Sequence, residues 1–174
     1  MEAIELVILI GIQASGKTTY YRRRLEGEYL HVSLDNWRGK GNVRGKEREA
    51  ILAALASAGA SGGQVRGVAV DNTNTTAQTR RRYFDMAGEF TAATGKPVSL
   101  TAYFFDADLA SCLKRNAQRP ADAPAGVPYF VPPAAIAGFR NRLQPPRYEE
   151  GFARVRRVRI TDDGGFAVED VPRP

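Results

Sequence analysis

Residues 4–18 read IELVILIGIQASGKT, and this stretch decides the fold. Residues 4–10 are apolar except for Glu5, which is typical of a strand buried inside a sheet. Residues 11–18 follow the spacing G-x-x-x-x-G-K-T, and the segment behind them can form a helix. A glycine-rich turn between a buried strand and a helix N-terminus points backbone N–H groups at an anion. The stretch therefore predicts a phosphate-binding loop.

The side chains of this loop suit a nucleoside triphosphate, taken here as ATP, with Mg²⁺. Lys17 can bridge β- and γ-phosphate oxygens, and the Thr18 hydroxyl can ligate the metal. The alternative, an ordinary turn with a surface lysine, would need the strand, glycines, lysine and threonine to coincide by chance. The positions predicted to contact the nucleotide here are Gly11, Ala14, Ser15, Gly16, Lys17, Thr18 and Thr19.

Length and composition indicate a globular protein. With 174 residues, 43% of them hydrophobic, the chain can build one core, so residues 1–174 are predicted to form a single domain. No apolar stretch is long enough to span a membrane, and the N-terminus lacks a secretory signal pattern, so a cytoplasmic location is expected. The lone Cys112 lies among apolar residues, which favours a buried thiol.

The charge balance leaves two interpretations open. The net charge is +6 and arginine far outnumbers lysine. A basic, arginine-rich surface is typical of proteins that bind nucleic acid, because guanidinium groups grip phosphates in a bidentate manner. The alternative is a biased genome composition, which would favour arginine over lysine and would also account for the many alanines and glycines of this chain.

The remaining apolar runs alternate between strand and helix patterns. An α/β fold of the P-loop NTPase class, similar to adenylate kinase, is predicted, with a mainly parallel five-stranded sheet and helices on both faces. The Pro-rich residues 119–133 are interpreted as a lid. The predicted strands are 4–10, 29–33, 67–71, 98–105 and 155–160, with a hairpin to 166–168; the predicted helices are 17–26, 46–58, 76–94, 106–118 and 134–142.

Polar residues follow the second strand directly, in SLDNWR. Because ligands of such sheets bind at the carboxyl ends of the strands, Asp35 is a candidate base for an attacking hydroxyl; otherwise it caps a helix or turn. Arg38 either grips a phosphate of the acceptor or lies in solvent. Trp37 either stacks on a base or covers a neighbouring helix.

The third strand also ends in polar residues, VAVDNTNTT. Asp71 is predicted to orient water on Mg²⁺, which is the role of the corresponding acid in P-loop enzymes. Asn72 and Asn74 either fix the loop or contact the acceptor. The alternative is a turn cluster that caps the next helix; in either case Thr75 or Thr76 is expected to be the cap.

Further arginines lie outside these loops. Arg115 and Arg119 either clamp the triphosphate when the lid closes or neutralise the negative end of their helix. Arg80–Arg82 favour a solvated helix face over a binding patch. Alternating arginines in 154–159 are typical of an edge strand that avoids pairing with other chains.

Taken in order, these motifs resemble the kinase domain of the 5′-polynucleotide kinases of phage and animal DNA-repair enzymes. The resemblance implies that Asp35 is the general base, that Arg38 contacts the phosphate 3′ to the reacting hydroxyl, and that Arg119, assisted by Arg115, stabilises the transferred phosphoryl group. It also implies that Asp71 and Asn74 lie near the site. The motifs are GIQASGKTTY, VSLDNWR, VAVDNTN, RRRYFDMA, VSLTAYFFDA, LKRNAQR and VPPAAIAGFRNRLQPPRYEEGF.

The function implied by the resemblance is ATP-dependent phosphorylation of 5′-hydroxyl ends of DNA or RNA in nucleic-acid repair. The family commonly carries a phosphatase or another repair module, for which this chain has no room. A stand-alone kinase, or the kinase part of a longer protein, is therefore expected, with a separate phosphatase or ligase as partner and no membrane association. Two alternatives stay open: a kinase of a sugar, nucleoside or antibiotic, and a nucleotide-regulated nucleic-acid-binding module without phosphotransfer.

Overall fold

The structure, a computed structural model, describes residues 3–174; Met1 and Glu2 of the predicted domain lie outside the described residues. Within this range the chain forms a central sheet of six strands. Their bounds are β1 Ile4–Ile10, β2 Tyr29–Val32, β3 Gly67–Asp71, β4 Val98–Phe105, β5 Arg154–Ile160 and β6 Phe166–Asp170.

The strand order is β2-β3-β1-β4-β5-β6. Every neighbouring pair from β2 to β5 is parallel, and β6 pairs antiparallel with β5. The predicted α/β class is therefore confirmed, but the predicted count of five strands is one too low. The hairpin at Asp162–Gly165 returns the chain along β5, because that edge leaves backbone groups free to pair.

Among the described residues, five α-helices connect the strands: α1 Lys17–Tyr20, α2 Val43–Ala60, α3 Ala77–Thr94, α4 Leu109–Asn116 and α5 Pro133–Arg142. The predicted helix 17–26 is α-helical for one turn and then widens into a π-helical turn, Tyr21–Leu25. Helix α2 begins three residues before its prediction, where the Asn42 side chain accepts a hydrogen bond from Gly45 N. Thr76 caps α3 in the same way, as predicted.

Alternate residues of β1 pack into two hydrophobic cores on opposite faces of the sheet. Leu6, Ile8 and Ile10 pack against α2 and α3, whereas Val7 and Leu9 pack with the aromatic residues that follow the phosphate-binding loop. This alternation follows from the two-residue period of a strand and explains why β1 is apolar on both faces. The strand that carries the loop is thus held rigidly from both sides.

A third apolar cluster lies under the loop and the lid. Ile12, Val131 and Ile136 surround Cys112, whose exposed fraction is 0%, so the predicted buried thiol is confirmed. Of the predicted lid, residues 119–132 contain no helix or strand, and neither do the two residues before them, whereas Pro133 already belongs to α5. Asn116 joins the two ends of this segment through two hydrogen bonds with the backbone of Val131, of 2.8 and 3.0 Å. No helix among residues 3–174 is both long and apolar enough to cross a membrane.

Candidate active site

The carboxyl ends of β1, β2 and β3 meet at a cavity of about 230 Å³. Six of the predicted site residues line it together: Ala14, Lys17, Thr18, Asp35, Asp71 and Arg119. They come from four segments of the chain. The parallel order β2-β3-β1 brings three of these segments to one edge of the sheet, and the segment after α4 supplies Arg119. The other lining residues are Gln13, Leu34, Asn72, Thr73, Pro128, Tyr129, Val131 and Phe139.

The backbone of the loop is wound tightly between β1 and α1. Gly16 at φ 102° and Ala14 at φ 61° adopt left-handed conformations. A Cβ on Gly11 would lie 2.7 Å from Ser15 Oγ and 2.9 Å from Phe105 Cβ. Glycine is therefore required at position 11 by a close approach and at position 16 by its dihedral angle. Thr19 is exposed on α1 and does not line the cavity.

Lys17 is folded back onto the loop that precedes it. Its Nζ donates to the carbonyl oxygens of Gly11 and Ile12, at 2.9 and 2.8 Å, and lies 3.4 Å from Ser15 Oγ. Burial lowers the pKa of Lys17 to about 8, although the Asp71 carboxylate opposes this shift. The Lys17 ammonium is therefore poorly hydrated, and phosphate oxygens can replace the carbonyl oxygens as its hydrogen-bond acceptors.

Thr18 and Asp71 form a hydroxyl–carboxylate pair at the end of the loop. Thr18 Oγ1 donates to Asp71 Oδ2 at 2.6 Å, and His31 Nε2 lies 3.1 Å from the same oxygen. Burial alone would raise the pKa of Asp71, but the His31 hydrogen bond, the Lys17 charge and the Thr18 hydroxyl hold it below its usual value. Asp71 is therefore an anion that presents oxygen atoms beside the Thr18 hydroxyl.

Asp35 lies in a 3₁₀ turn, Leu34–Trp37, directly after β2. Ser33, not Asp35, provides the cap, because its side chain accepts from Asp35 N at 3.3 Å. Desolvation and the nearby Asp71 charge raise the pKa of the Asp35 carboxyl, while Arg38, Lys17 and Arg119 oppose that rise. A carboxylate with a raised pKa, facing cationic groups across a cavity, can accept a proton from a bound hydroxyl.

Arg38 is held by the lid. Its Nη2 donates to the carbonyl oxygens of Ala123 and Pro124, and its guanidinium carbon lies 3.7 Å from the centre of the Tyr129 ring. Gly126 N also donates to Asp35 O at 2.8 Å. The lid therefore covers the Asp35 side of the cavity, and it occupies Nη2 of Arg38, a donor that an acceptor phosphate could use.

The two arginines at the end of α4 differ in their surroundings. Arg119 lines the cavity, and burial lowers the pKa of its guanidinium while Asp35 and Asp71 raise it. Arg115 instead donates from Nε to the loop carbonyl of Ala14 at 2.7 Å. Arg119 thus faces the space where a transferred group would sit, and Arg115 braces the left-handed turn of the loop.

Three predicted substrate-binding residues do not line the cavity: Arg38, which the lid holds, Trp37 and Asn74. Trp37 packs against the core between α2 and the sheet, in agreement with its alternative role as a cover. Asn74 is 1% exposed, donates to Leu9 O at 2.8 Å and lies 2.8 Å from the Tyr83 hydroxyl. The geometry brings Asn74 under the loop and not to the acceptor side, because its amide joins β1 to α3.

Within Arg80–Arg82, predicted as a solvated face, Arg81 is exposed and Arg82 is partly buried, but the prediction is wrong for Arg80, which has 0% exposure. Its guanidinium forms two hydrogen bonds with the Glu150 carboxylate, at 2.8 and 2.6 Å, and donates to the carbonyl oxygens of Asn74 and Gln144. The spacing of Arg80 from Tyr83, three residues later on the buried face of α3, was a signal of this position. Tyr129, Gln13 and His31 are further site residues that the motifs did not indicate.

Comparison with known proteins agrees with this architecture. Residues 6–146 match the AAA domain family. The bifunctional polynucleotide phosphatase/kinase of Schizosaccharomyces pombe is 27% identical over 161 residues, which cover 88% of this chain and 33% of that protein. The chain thus spans about a third of the length of this curated relative.

Solved structures show the same fold. A fungal RNA kinase has a TM-score of 0.63 and 18% identity, covering 95% of this chain and 79% of the other. Kti12 of Chaetomium thermophilum, in complex with ADP-AlF3, has a TM-score of 0.61 and 16% identity, with coverage of 91% and 90%.

Proposed function

The chain belongs to the AAA domain family and has the fold of P-loop kinases, and from this premise we propose that it transfers the γ-phosphoryl group of ATP to 5′-hydroxyl ends of DNA or RNA. One observation carries the proposal: a candidate base, Asp35, shares a cavity with Lys17, Asp71 and Arg119. A phosphotransferase needs a proton acceptor, cations for the triphosphate and an acid near the metal, all within reach of one phosphoryl group.

The residues of the loop fit a nucleoside triphosphate with Mg²⁺. Backbone N–H groups at the start of α1 and the Lys17 ammonium suit phosphate oxygens. Mg²⁺ prefers oxygen ligands and keeps several waters, which suits the Thr18 hydroxyl as a direct ligand and Asp71 as a ligand through water. When bound, the metal neutralises charge on the β- and γ-phosphates.

In the proposed reaction the 5′-oxygen attacks the γ-phosphorus in line with the leaving group. A bond forms between the 5′-oxygen and phosphorus, the bond from phosphorus to the β–γ bridging oxygen breaks, and ADP leaves. The hydroxyl proton passes to the Asp35 carboxylate, which the raised pKa favours. Lys17 and Arg119 stabilise the charge that spreads over the transferred group.

The polynucleotide acceptor is supported by charge and by similarity. Arg38 lies one 3₁₀ turn from Asp35, so it can hold a phosphate adjacent to the reacting hydroxyl once the lid carbonyls release it. The net charge of +6 suits a polyanionic acceptor. The similarity to the Schizosaccharomyces pombe phosphatase/kinase supports the same class of acceptor. A repair role, a cytoplasmic location and a separate phosphatase or ligase partner are parts of this proposal.

The test is transfer of labelled γ-phosphate from ATP to 5′-hydroxyl oligonucleotides of DNA and RNA, with 5′-phosphorylated oligonucleotides as blocked acceptors. Asp35→Asn should lower the transfer rate by about 100-fold or more with ATP affinity nearly unchanged, because it removes the base and keeps the shape. Asp85→Asn, the same change at an exposed position of α3, serves as the matched control and should retain the wild-type rate.

Three outcomes would contradict parts of the proposal. Near wild-type transfer by Asp35→Asn would refute the base assignment. Transfer to sugars or nucleosides but not to oligonucleotides, with weak dependence on salt, would favour a small-molecule kinase, since phosphate contacts make polynucleotide binding strongly salt-dependent. ATP-dependent binding of oligonucleotides without transfer would indicate a binding module.

A further inference from the structure

A carboxylate is buried beside the candidate active site without taking part in it. Glu47 on α2 has 0% exposure, and four donors surround it. Asn72 Nδ2 lies 2.6 Å away, the Tyr83 hydroxyl 3.0 Å, and Arg82 Nη2 and Arg44 Nη1 both 3.3 Å. Burying a carboxylate costs free energy even when it is paired, so a hydrophobic residue would serve simple packing at least as well.

The carboxylate sets the orientation of the Asn72 amide. A carboxylate only accepts hydrogen bonds, so the Nδ2 group of Asn72 must face Glu47 and Oδ1 must face the opposite way. Oδ1 accepts a hydrogen bond from the backbone N–H of Leu34, at 2.8 Å. If the Asn72 amide were flipped, Oδ1 would face the Glu47 carboxylate and Nδ2 would face the Leu34 N–H. The first contact would then join two acceptors and the second two donors. Glu47 therefore selects the orientation in which Asn72 binds Leu34.

Leu34 immediately precedes Asp35 and begins the 3₁₀ turn that carries it. The N–H groups at the start of such a turn have no partner within the turn. Besides this contact, the turn is held by two weak local bonds, Asn36 N to Ser33 O at 3.2 Å and Arg38 N to Asp35 O at 3.3 Å, and by the lid, whose Gly126 N donates to Asp35 O at 2.8 Å. The Asn72 side chain is thus the link that ties the Asp35 turn to the end of β3.

We propose that Glu47 and Asn72 are positioning residues for Asp35: the buried carboxylate orients the Asn72 amide, and the amide holds the Leu34 N–H so that the Asp35 carboxylate faces the acceptor. This inference rests on the proposed function, in which Asp35 is the base. A misplaced base loses in-line geometry, so the effect should fall on turnover and not on substrate affinity.

The test exchanges the carboxylate of position 47 and the amide of position 72. Asn72→Asp places a carboxylate oxygen against Glu47 and should lower kcat by about 10- to 100-fold, with the KM values for ATP and acceptor changed less than about threefold. Adding Glu47→Gln restores an N–H donor facing that oxygen. The double variant E47Q/N72D should return kcat to within about fivefold of the wild type, a coupling that separate, independent losses cannot produce.

Two controls separate positioning from folding. Asn141→Asp makes the same chemical change at an exposed position of α5 and should leave kcat unchanged. In the unmutated protein, the Leu34 amide should exchange its hydrogen more slowly than the amides of the exposed residues Gly39, Gly41 and Asn42, which tests the Asn72 contact without any variant. Circular dichroism and binding of an ATP analogue establish that each variant is folded.

The outcomes distinguish this inference from the proposed function. A wild-type protein that does not label oligonucleotides refutes the proposed function, and the inference falls with it. If the wild type is active, any of three results overturns the positioning role and leaves the proposed function intact. They are full turnover by Asn72→Asp, a folded double variant that does not recover kcat, and fast hydrogen exchange at the Leu34 amide.

Discussion

The buried ion pair between Arg80 and Glu150 allows a quantitative prediction about stability. Arg80 is fully buried and the Glu150 side chain is 13% exposed. The guanidinium makes two hydrogen bonds to the carboxylate and two to the carbonyl oxygens of Asn74 and Gln144, at 2.6 to 3.0 Å. It therefore joins α3 to the loop after β3 and to the segment before β5.

Arg80→Ala should be strongly destabilising. It leaves the Glu150 carboxylate without its partner in a largely buried place, for which about 3–5 kcal/mol is typical, and it also frees two carbonyl oxygens. A loss of about 4 kcal/mol is a large part of the 5–15 kcal/mol that typically stabilises a folded protein. For a chain of this size it corresponds to a fall in Tm of about 8–16 °C.

The assay is urea unfolding followed by circular dichroism, with thermal unfolding alongside. Arg81→Ala is the matched control, since Arg81 is the next residue on α3 and is exposed; its effect should stay within about 0.5 kcal/mol. The double variant R80M/E150M should recover part of the loss, because no unpaired charge remains. If Arg80→Ala and Arg81→Ala differ by less than about 1 kcal/mol, the buried pair does not have the role that its geometry indicates.

Three further predictions concern the site and its surroundings. Tyr129→Ala removes a cation–π contact worth about 1 kcal/mol, so hydrogen exchange at the Gly126 amide should become about fivefold faster; Tyr129→Phe keeps the ring and should exchange like the wild type, and equal rates in both variants would contradict the contact. Because the pKa of Lys17 is about 8, its ammonium loses its proton above that pH, so the affinity for an ATP analogue should fall by up to about tenfold per pH unit there; a flat titration by fluorescence would refute this. Burial also raises the pKa of the Cys112 thiol, so a thiol reagent should label the native protein at least about 100-fold more slowly than the urea-unfolded chain, and rapid native labelling would show that the cluster under the lid opens.

The local parts of the fold could be predicted because their causes are local. The apolar run of β1, the spacing of the loop and the cap of α3 each depend on neighbouring residues, and all are found where they were expected. Cys112 was placed correctly by its apolar neighbours for the same reason. Element bounds were less accurate: α2 begins earlier than predicted, because Asn42 caps it.

The roles of single arginines could not be predicted in the same way. Arg80 looks solvated within RRRY because its partner, Glu150, lies 70 residues further along the chain. Arg38 is bound by lid carbonyls 85 and 86 residues away. A guanidinium carries the same charge in both environments, so only the packing of distant segments decides whether it lies in solvent, in an ion pair or against a lid.

The sequence by itself determined the strand–loop–helix unit, the parallel α/β class and the acids that end β2 and β3. Dihedral preferences and the periodicity of apolar residues are properties of short segments, so they can be read without the fold. The tertiary structure alone decided that Trp37, Arg38 and Asn74 do not line the cavity that the predicted residues Asp35, Asp71 and Arg119 share. The physical reason is that the order β2-β3-β1 and the path of the lid depend on long-range packing, which no local pattern encodes.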